Sequence, residues 1–131
     1  MHGPKAQRIN APGGGLDVLE LGLAAPFPVS RIYWLRDTPS DGVRGLHAHR
    51  TLRQMLVVTS GAVTVTLDNG HQVFVHRLTE DVPTLLIEPV HWRELTEIAE
   101  ATVIMVLASD PYDPDDYIHD HAEFLRVVRG D

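Results

Sequence analysis

Two histidines, His47 and His49, stand two residues apart inside a segment bounded by Gly42 and Gly61. In a β-strand, residues two apart point to the same face, so both imidazoles are expected on one side, with backbones roughly 7 Å apart. Imidazole has an unperturbed pKa of about 6.5, so one ring can accept a proton at neutral pH while the other donates one. The spacing therefore predicts a proton-transferring pair.

A metal site is the main alternative use of this pair. His-x-His followed after four residues by Gln54, and after six more by Gly61, has the spacing of the first motif of cupin barrels. Metal-binding cupins usually have Glu where this chain has Gln54 and a third histidine where it has Arg93. A neutral amide does not balance the charge of a divalent ion, and a guanidinium repels it. No metal or other cofactor is therefore expected, with His91 left as an alternative third ligand.

Length and composition bound the function classes. A chain of 131 residues with no cysteine is about one domain, and it excludes thiolate chemistry and cysteine-based metal sites. Eighteen acidic against eleven basic side chains give a net charge of −7, which disfavours nucleic acid as a partner. Five arginines between positions 31 and 53 suit a small anion instead. No apolar run approaches the roughly 20 residues that span a membrane, and we expect a cytoplasmic protein without membrane contact.

The elements that must position the histidines are short strands. Alternating apolar and polar runs, about seven or eight of them, are separated by turns such as Asn69-Gly70 rather than by helical patterns. This pattern favours an all-β sandwich or barrel. Only the end looks helical, from Asp113-Pro114 onward, where apolar residues recur at spacings of three and four. Residues 1–15, rich in Gly and Pro, are expected to form a flexible entry segment, and residues 16–131 a single domain.

Most of the chain after residue 15 resembles a known family. Similarity to the dTDP-4-keto-6-deoxyglucose 3,4-ketoisomerases is carried by four segments and by Gln54. The segments are Pro26-Phe27-Pro28-Val29-Ser30-Arg31-Ile32-Tyr33-Trp34-Leu35, Arg44-Gly45-Leu46-His47-Ala48-His49, Val106-Leu107-Ala108-Ser109-Asp110-Pro111-Tyr112-Asp113 and Asp116-Tyr117-Ile118. The resemblance implies a single cupin barrel of the RmlC-like jelly-roll kind, all-β with a short C-terminal helix. It also implies a metal-free homodimer with strand exchange that acts on a dTDP-linked keto sugar in deoxysugar biosynthesis.

The same resemblance implies roles for individual residues. His47 and His49 would be the acid and base that move a proton between carbons 3 and 4 of the sugar through an enediol, giving the 3-keto isomer. Tyr33 and Arg44 would line the site of the sugar diphosphate. From the residue types themselves, Arg44, Arg93 or Tyr33 could stabilise the oxyanion that develops in this reaction.

Gln54 and Trp92 complete the predicted substrate contacts. A tryptophan can stack on a nucleotide base or a sugar, although in a small barrel it is more often part of the core. The chain also departs from the family at two positions. Arg93 stands where the family usually has His, and Gly14 stands where it usually has Arg. Both departures leave open a change of substrate or of activity.

Two alternatives to a ketoisomerase therefore remain. The first is another nucleotide-sugar epimerase or isomerase. Cupin epimerases have a His–Asp pair and a tyrosine acid, and no such pairing is legible in the sequence. The second is a non-catalytic nucleotide-sugar-binding cupin, which the departures at Arg93 and Gly14 would support.

Overall fold

The computed structural model describes residues 6–130, except for the side chains of residues 23 and 24. Within this range the chain forms mainly short strands. In chain order the elements are β1 (Gln7–Ala11), β2 (Gly14–Val18), α1 (Leu21–Ala24), β3 (Arg31–Leu35), β4 (Arg44–His49), β5 (Gln54–Ser60), β6 (Ala62–Asp68), β7 (Val73–Thr79), β8 (Thr84–Ile87), β9 (Trp92–Thr96), β10 (Val103–Ala108), β11 (Tyr117–Ile118) and α2 (His121–Arg129).

Two antiparallel sheets make up the body of the barrel. One has the strand order β3-β10-β5-β8 and the other β11-β4-β9-β6-β7. Neighbouring strands along each sheet are mostly distant in sequence, which is the pattern of a jelly roll rather than of consecutive hairpins. The all-β cupin-like fold with a short C-terminal helix is confirmed.

Side chains that alternate between the two faces of each strand determine which residues form the core. On β5, Leu56 and Val58 point between the sheets, while Met55 and Val57 point to the outer face of the four-stranded sheet. Apolar residues of both sheets bury a shared cluster between them, namely Leu56, Val58, Val63, Val65, Leu67, Leu78, Leu85, Ile87, Leu95, Ile98, Ile104 and Val106. Removal of this apolar surface from water, at about 25 cal/mol per Å², holds the two sheets together.

The C-terminal segment differs from the helix expected from Asp113 onward. A single 3₁₀ turn covers Pro114–Asp116, β11 then pairs with β4, and only after this does α2 begin. The side chain of Asp120 accepts a hydrogen bond from the backbone N of Ala122 and so caps the helix, and Gly130 ends it with a φ of 74°. The apolar residues of this segment have helical spacing in the sequence. However, Tyr117–Ile118 form backbone hydrogen bonds with the edge of β4 and so become a strand of the sheet.

The N-terminal segment also differs from the irregular entry expected for residues 1–15, of which 1–5 lie outside the described residues. β1 and β2 pair in register from Gln7 with Val18 to Ala11 with Gly14. Arg8 links this hairpin to itself through Asp17, at 2.7 Å, and to the body through the carbonyl oxygen of Glu80. Backbone pairing between β1 and β2 holds this segment as a hairpin, although its sequence has no apolar periodicity. Its flexibility and the boundary at residue 16 stay predictions.

Candidate active site

A β-bulge sets the direction of His47 and His49, which both lie on β4. The register of β4 against β9 shifts between Gly45 and His47, and Gly45 and Leu46 have φ values of 86° and 57°. The extra residue of a bulge re-aims the side chains beside it. The two imidazole centroids lie 4.8 Å apart, with ring planes at 88°. The structure thus brings the predicted pair together.

His47 is held in one tautomer. Its Nδ1 lies 3.0 Å from the carbonyl oxygen of Gly45, an atom that only accepts hydrogen bonds. Nδ1 therefore carries the proton of the neutral ring and Nε2 keeps a lone pair. Burial lowers the pKa of His47 to about 4, and the nearby charge of Arg93 acts in the same direction. His47 is thus neutral at pH 7 and can accept a proton.

His49, which is 1% exposed, faces a carboxylate that the sequence alone did not indicate. Oδ2 of Asp116 lies 3.2 Å from Nδ1 of His49. Asp116 in turn accepts hydrogen bonds from the backbone N and the hydroxyl of Thr51 and from the backbone N of Leu52. Partial burial raises the pKa of Asp116, but these hydrogen bonds outweigh it and the net pKa is lowered. The carboxylate stays ionised and, at 3.2 Å, favours the tautomer of His49 that carries its proton on Nδ1.

The pKa of His49 is also held well below its usual value. Burial is the largest cause, followed by the charges of Arg93 and His47, and the attraction of Asp116 does not compensate for them. Both histidines are therefore neutral bases at pH 7. This differs from the expectation of one acid and one base at their ordinary pKa, because that expectation took no account of burial beside a guanidinium.

Arg93 carries a positive charge into the interior with no carboxylate beside it among the described residues. It is 3% exposed and donates to Oε1 of Gln54 and, at 3.2 Å, to the carbonyl oxygen of His91. Nε2 of Gln54 donates to the hydroxyl of Tyr33 at 2.9 Å, which completes a chain of three side chains. Burial lowers the pKa of Arg93 to about 10, so it remains charged at neutral pH. Its Nε finds no partner within the described part of the chain.

Two cavities lie beside the histidine pair, one lined by His47 and the other by His49. The inner cavity, about 200 Å³, contains five predicted site residues in its wall, namely Tyr33, Arg44, His47, Gln54 and Arg93. The outer cavity, about 440 Å³, is lined by His49, Asp116 and Tyr117 and also by Arg31. A ligand that fills both cavities would therefore pass the two imidazoles.

Trp92 is the predicted site residue that the structure places elsewhere. It is 6% exposed and packs on the outer face of its sheet, with its ring 5.1 Å from that of His121 and 6.0 Å from that of Phe124. Its neighbour Arg93 points to the opposite face, since adjacent strand residues alternate. Trp92 belongs to the small core under α2 and does not line either cavity.

The residues at the position of a metal site do not suit a cation. No group of three or more His, Cys, Asp or Glu side chains in residues 6–130 could hold a metal ion. The alternative third ligand, His91, has its Nδ1 3.0 Å from the carbonyl oxygen of Pro89. A guanidinium takes the place of the third imidazole in the wall of the inner cavity. Positive charge at this point favours an anionic group over a metal ion.

Tyr117 and His119 are two further residues beside the histidine pair, to which the sequence alone assigned no role. The ring of Tyr117 lies 4.4 Å from that of His49 and 5.1 Å from that of His47. His119 stacks on Tyr117, with ring planes at 8° and centroids 5.2 Å apart, and its ring lies 6.4 Å from that of His47. Their position depends on the pairing of β11 with β4, which has no strong sequence signal.

Fold and site together define a class of protein. A cupin-like barrel whose interior holds two neutral histidines next to a buried, unbalanced guanidinium is suited to moving protons on an anionic or electron-accepting ligand. The sequence model of the family described as FdtA: WxcM-like, C-terminal, matches residues 4–129. The chain belongs to this family.

Named relatives agree with this assignment. The TDP-4-oxo-6-deoxy-alpha-D-glucose-3,4-oxoisomerase of Aneurinibacillus thermoaerophilus is 37% identical over 117 residues, which are 88% of this chain and 83% of that one. The structure of a 3,4-ketoisomerase from Helicobacter canadensis is 35% identical, with a TM-score of 0.89 over 95% of this chain and 93% of that one. The sugar 3,4-ketoisomerase QdtA from Thermoanaerobacterium thermosaccharolyticum, in complex with TDP, is 30% identical, with a TM-score of 0.91 over 97% and 93%. The resemblance drawn from the sequence is confirmed.

No helix in the described part of the chain has the length and apolar character needed to cross a membrane. The longest one, α2, has nine residues and is polar along much of its surface. A helix needs about 20 apolar residues to span the hydrocarbon layer.

Proposed function

We propose that this chain is a sugar 3,4-ketoisomerase that converts dTDP-4-keto-6-deoxyglucose to its 3-keto isomer in deoxysugar biosynthesis. The observation that carries the proposal is the pair of neutral imidazoles, 4.8 Å apart, beside the buried guanidinium of Arg93. Such a site supplies a base for a carbon-bound proton and a positive charge for the oxyanion that results. The activities named for the relatives supply the substrate.

The first step is removal of the proton on carbon 3. The carbonyl at carbon 4 acidifies this proton, and the lone pair on Nε2 of one histidine accepts it. The electron pair of the broken C–H bond forms the carbon–carbon double bond of an enediolate, and negative charge moves to the oxygen on carbon 4. Arg93 and the hydroxyl of Tyr33, which share the inner cavity, are the groups that stabilise this charge.

The second step returns a proton to carbon 4. The histidine that accepted the first proton is now an imidazolium, and its depressed pKa makes it a strong acid that gives the proton up readily. Carbon 4 is protonated as the hydroxyl proton on the oxygen of carbon 3 passes to the oxygen of carbon 4, which leaves a hydroxyl at carbon 4 and a carbonyl at carbon 3 with no net gain or loss of protons or electrons. The low pKa that keeps the resting histidine a base thus also drives the final transfer.

Two arginines in the cavity walls, Arg44 and Arg31, are the residues that we propose bind the diphosphate of the substrate. Arg44 is exposed at the wall of the inner cavity, where its Nε donates to the hydroxyl of Thr38 at 2.9 Å. Arg31 lies in the outer cavity, with its guanidinium carbon 5.4 Å from the centre of the Tyr33 ring. Gln54 contributes indirectly, because its amide holds both Arg93 and Tyr33 in place.

Isomerisation is tested in deuterated water. Wild-type protein given dTDP-4-keto-6-deoxyglucose is expected to incorporate deuterium and form the 3-keto isomer, followed by NMR. His47→Asn and His49→Asn each remove a base and are expected to lower kcat about 10²- to 10⁴-fold. His71→Asn, at an exposed turn position, is the matched control and should keep wild-type turnover. Neither exchange nor product in the wild type would exclude the activity, and full turnover in one of the first two variants would exclude that histidine's role.

An epimerase is the second candidate, and the His49–Asp116 pair beside Tyr117 favours it. The carbonyl at carbon 4 acidifies the protons on both neighbouring carbons, 3 and 5. Exchange confined to carbon 3, with a 3-keto product, would support the ketoisomerase. Exchange at carbon 5 and recovery of an inverted 4-keto sugar would support the epimerase. TDP binding without any exchange would support the non-catalytic cupin.

We also propose that two copies associate through the outer face of the four-stranded sheet. The edge strand β3 exposes Ile32 and Trp34 there, by 42% and 58%. Beside them lies a largely apolar groove of about 420 Å³ whose wall includes Leu21, Met105 and Leu107. A contiguous apolar surface at a sheet edge is the kind of surface that a second chain covers.

The hairpin β1–β2 is an independent support for this homodimer. A two-stranded hairpin is marginally stable by itself in water. This one exposes Ile9 and Leu16, by 44% and 57%, instead of burying them against its own barrel. Contact with a second copy would remove both side chains from water, in agreement with the strand exchange that the family resemblance implies.

The absence of a cofactor and the cytoplasmic location stay predictions. Turnover that survives dialysis against EDTA would support the first of them. Fractionation of the source cells, with the activity recovered in the cytoplasmic fraction, would support the second.

A further inference from the structure

The wall of the inner cavity is divided between polar and aliphatic side chains. Its polar part includes the groups already assigned to the chemistry, namely Tyr33, His47, Gln54 and Arg93. Its aliphatic part consists of Leu35, Leu56, Leu95 and Val106, which together are called the aliphatic layer below. The proposed proton transfers use only the polar part, so the aliphatic layer has no role in them.

Strand alternation places the aliphatic layer directly beside the polar groups. Three polar residues are followed two positions later by a leucine, in the pairs Tyr33 and Leu35, Gln54 and Leu56, and Arg93 and Leu95. Residues two apart on a strand point to the same face, roughly 7 Å from each other. Val106 is paired with Tyr33 on one side and with Leu56 on the other, which adds the fourth side chain. A ligand group that leaves the polar part in this direction therefore meets only aliphatic side chains.

The aliphatic layer has no hydrogen bond to offer to a ligand. Its side chains contain only carbon and hydrogen. The backbones of Leu56, Leu95 and Val106 are paired with neighbouring strands on both sides. A hydroxyl group buried against this layer would lose its hydrogen bonds to water, whereas a methyl group is stabilised by leaving water.

The proposed substrate carries one methyl group, carbon 6, on the carbon next to the carbonyl at carbon 4. The oxygen on carbon 4 therefore has two neighbouring substituents, the oxygen on carbon 3 and this methyl group. When the oxygen on carbon 4 faces Arg93 and Tyr33, one of the two must lie toward the aliphatic layer. Only the methyl group suits a surface without hydrogen-bonding groups.

We propose that the aliphatic layer determines the choice of sugar, because it receives the methyl group at carbon 6 and disfavours sugars with a hydroxyl there. This inference rests on the proposed ketoisomerase activity. The diagnostic competitor is dTDP-4-keto-glucose, which differs from the proposed substrate by one hydroxyl on carbon 6. We expect the wild type to prefer the 6-deoxy sugar about 10- to 10²-fold in kcat/KM, with formation of the 3-keto isomer followed by NMR.

Two variants place a polar group in the layer. Val106→Thr adds a hydroxyl with little change in side-chain volume, and it should lower the preference about tenfold because the 6-hydroxyl gains a partner. Leu35→Asn makes a similar change at a half-buried position on the edge strand β3, where the fold is least affected, and should lower it at least about threefold. Val65→Thr is the matched control, since it makes the first change in the same core but in the wall of neither cavity. It should keep the wild-type preference.

The ratio of the two kcat/KM values separates specificity from stability, because a loss of folded protein lowers both values together. Equal use of the two sugars by the wild type would overturn the assignment, and so would a wild-type ratio in both layer variants. If circular dichroism shows that Val106→Thr does not fold, Leu35→Asn decides alone.

Failure of the ketoisomerase proposal would appear differently, as a wild-type protein that forms no 3-keto product from either sugar. Calorimetric affinities for the two sugars would then measure the preference without turnover. A tighter complex with the 6-deoxy sugar, weakened relative to its competitor by Leu35→Asn, would still support the role of the layer. Equal affinities would overturn it.

Discussion

At the scale of single residues, one buried cation, Arg93, has a strong effect on the electrostatics of the site. Arg93 lowers the pKa of both His47 and His49, in each case after burial as the larger cause. A buried guanidinium with no carboxylate partner is costly for stability, since desolvation is not repaid by an ion pair. Its position in the wall of the inner cavity gives it a use, because the enediolate oxygen would complete the missing pair.

The pH dependence of the free enzyme follows from these pKa values. His47 is a base when unprotonated, and its pKa of about 4 means that this form persists well below pH 6.5. NMR titration of the imidazole protons should therefore show His47 titrating near pH 4, and kcat/KM should be nearly constant from pH 8 to about pH 5.5. An acid limb centred near pH 6.5 would contradict the assignment of His47 as a buried, neutral base.

Stability should change with pH for the same reason. The unfolded chain binds a proton at His47 near pH 6.5, whereas the folded chain does so only near pH 4. Between these values the unfolded state holds more protons, so the free energy of unfolding decreases as the pH falls from about 6.5 toward 4. Urea unfolding at a series of pH values measures this decrease. His47→Asn should remove part of it.

Arg93→Met tests the role of the guanidinium. Loss of the positive charge should raise the pKa of His47 toward its ordinary value, because Arg93 is the second largest cause of the depression. Loss of an oxyanion partner should lower kcat by about 10²- to 10³-fold. Arg126→Met, on the exposed side of α2, is the matched control and should change neither quantity. Unchanged turnover in Arg93→Met would show that the enediolate is stabilised by other groups.

At the scale of elements, the bulge on β4 and the pairing of β11 with β4 assemble the site. The bulge places positive φ at Gly45, where a side chain is disfavoured. The β11 pairing sets Tyr117 opposite His49 in the ladder and brings Asp116 within 3.2 Å of Nδ1 of His49. Phe124, the fully buried residue of α2, supports this arrangement from the outside, since it shares its apolar cluster with Ile118 of β11.

Gly45→Ala should distort the bulge. Gly45 has a φ of 86°, and a Cβ built on it would lie 2.9 Å from the carbonyl oxygen of Arg93. We expect a cost of about 1–3 kcal/mol in unfolding free energy, measured by urea denaturation, with a loss of kcat as His47 moves. Gly22→Ala is the control, since a Cβ there meets nothing within 4 Å and α1 accepts alanine. Wild-type turnover in Gly45→Ala would mean that the bulge does not position His47.

At the scale of the whole molecule, the apolar surface is divided unequally between the two sheets. The five-stranded sheet has α2 over part of its outer face, with Phe124 of α2 and Trp92 of β9 buried between helix and sheet. On the outer face of the four-stranded sheet, the segment around Ala25 and Phe27 is packed, and Trp34 remains exposed on the edge strand. The uncovered edge is the surface to which the proposed homodimer assigns a second copy.

Mass measurement in solution tests the dimer. Light scattering should give about twice the chain mass of 14.6 kDa for the wild type. Trp34→Asp places a charge in the proposed interface and should shift the protein toward the single-chain mass. Val73→Asp makes the same kind of change at a 60% exposed position on β7, in the other sheet, and should leave the dimer intact. A single-chain mass for the wild type would exclude this association.

Much of this molecule is determined locally and could be predicted from its sequence. Strand alternation and the Asn69-Gly70 turn depend on neighbours in the chain, and they predicted an all-β sandwich or barrel. The spacing of His47 and His49 placed them on one face, and the residue types at Gln54 and Arg93 opposed a metal. Trp92 was predicted to contact the substrate, but it packs under α2 and lines neither cavity. The sequence did not show that α2 covers the face of β9 on which Trp92 lies.

The tertiary structure decided what depends on distant partners. Asp116 and Tyr117 reach the histidines only because two residues of a helix-like segment pair with the edge of β4, a backbone interaction that local propensity does not encode. The protonation state of the histidines was decided in the same way, since the pKa values depend on burial and on Arg93 from another strand. The sequence by itself therefore determined the residues that can move protons, while the packing of strands far apart in the chain determined their charge and their partners.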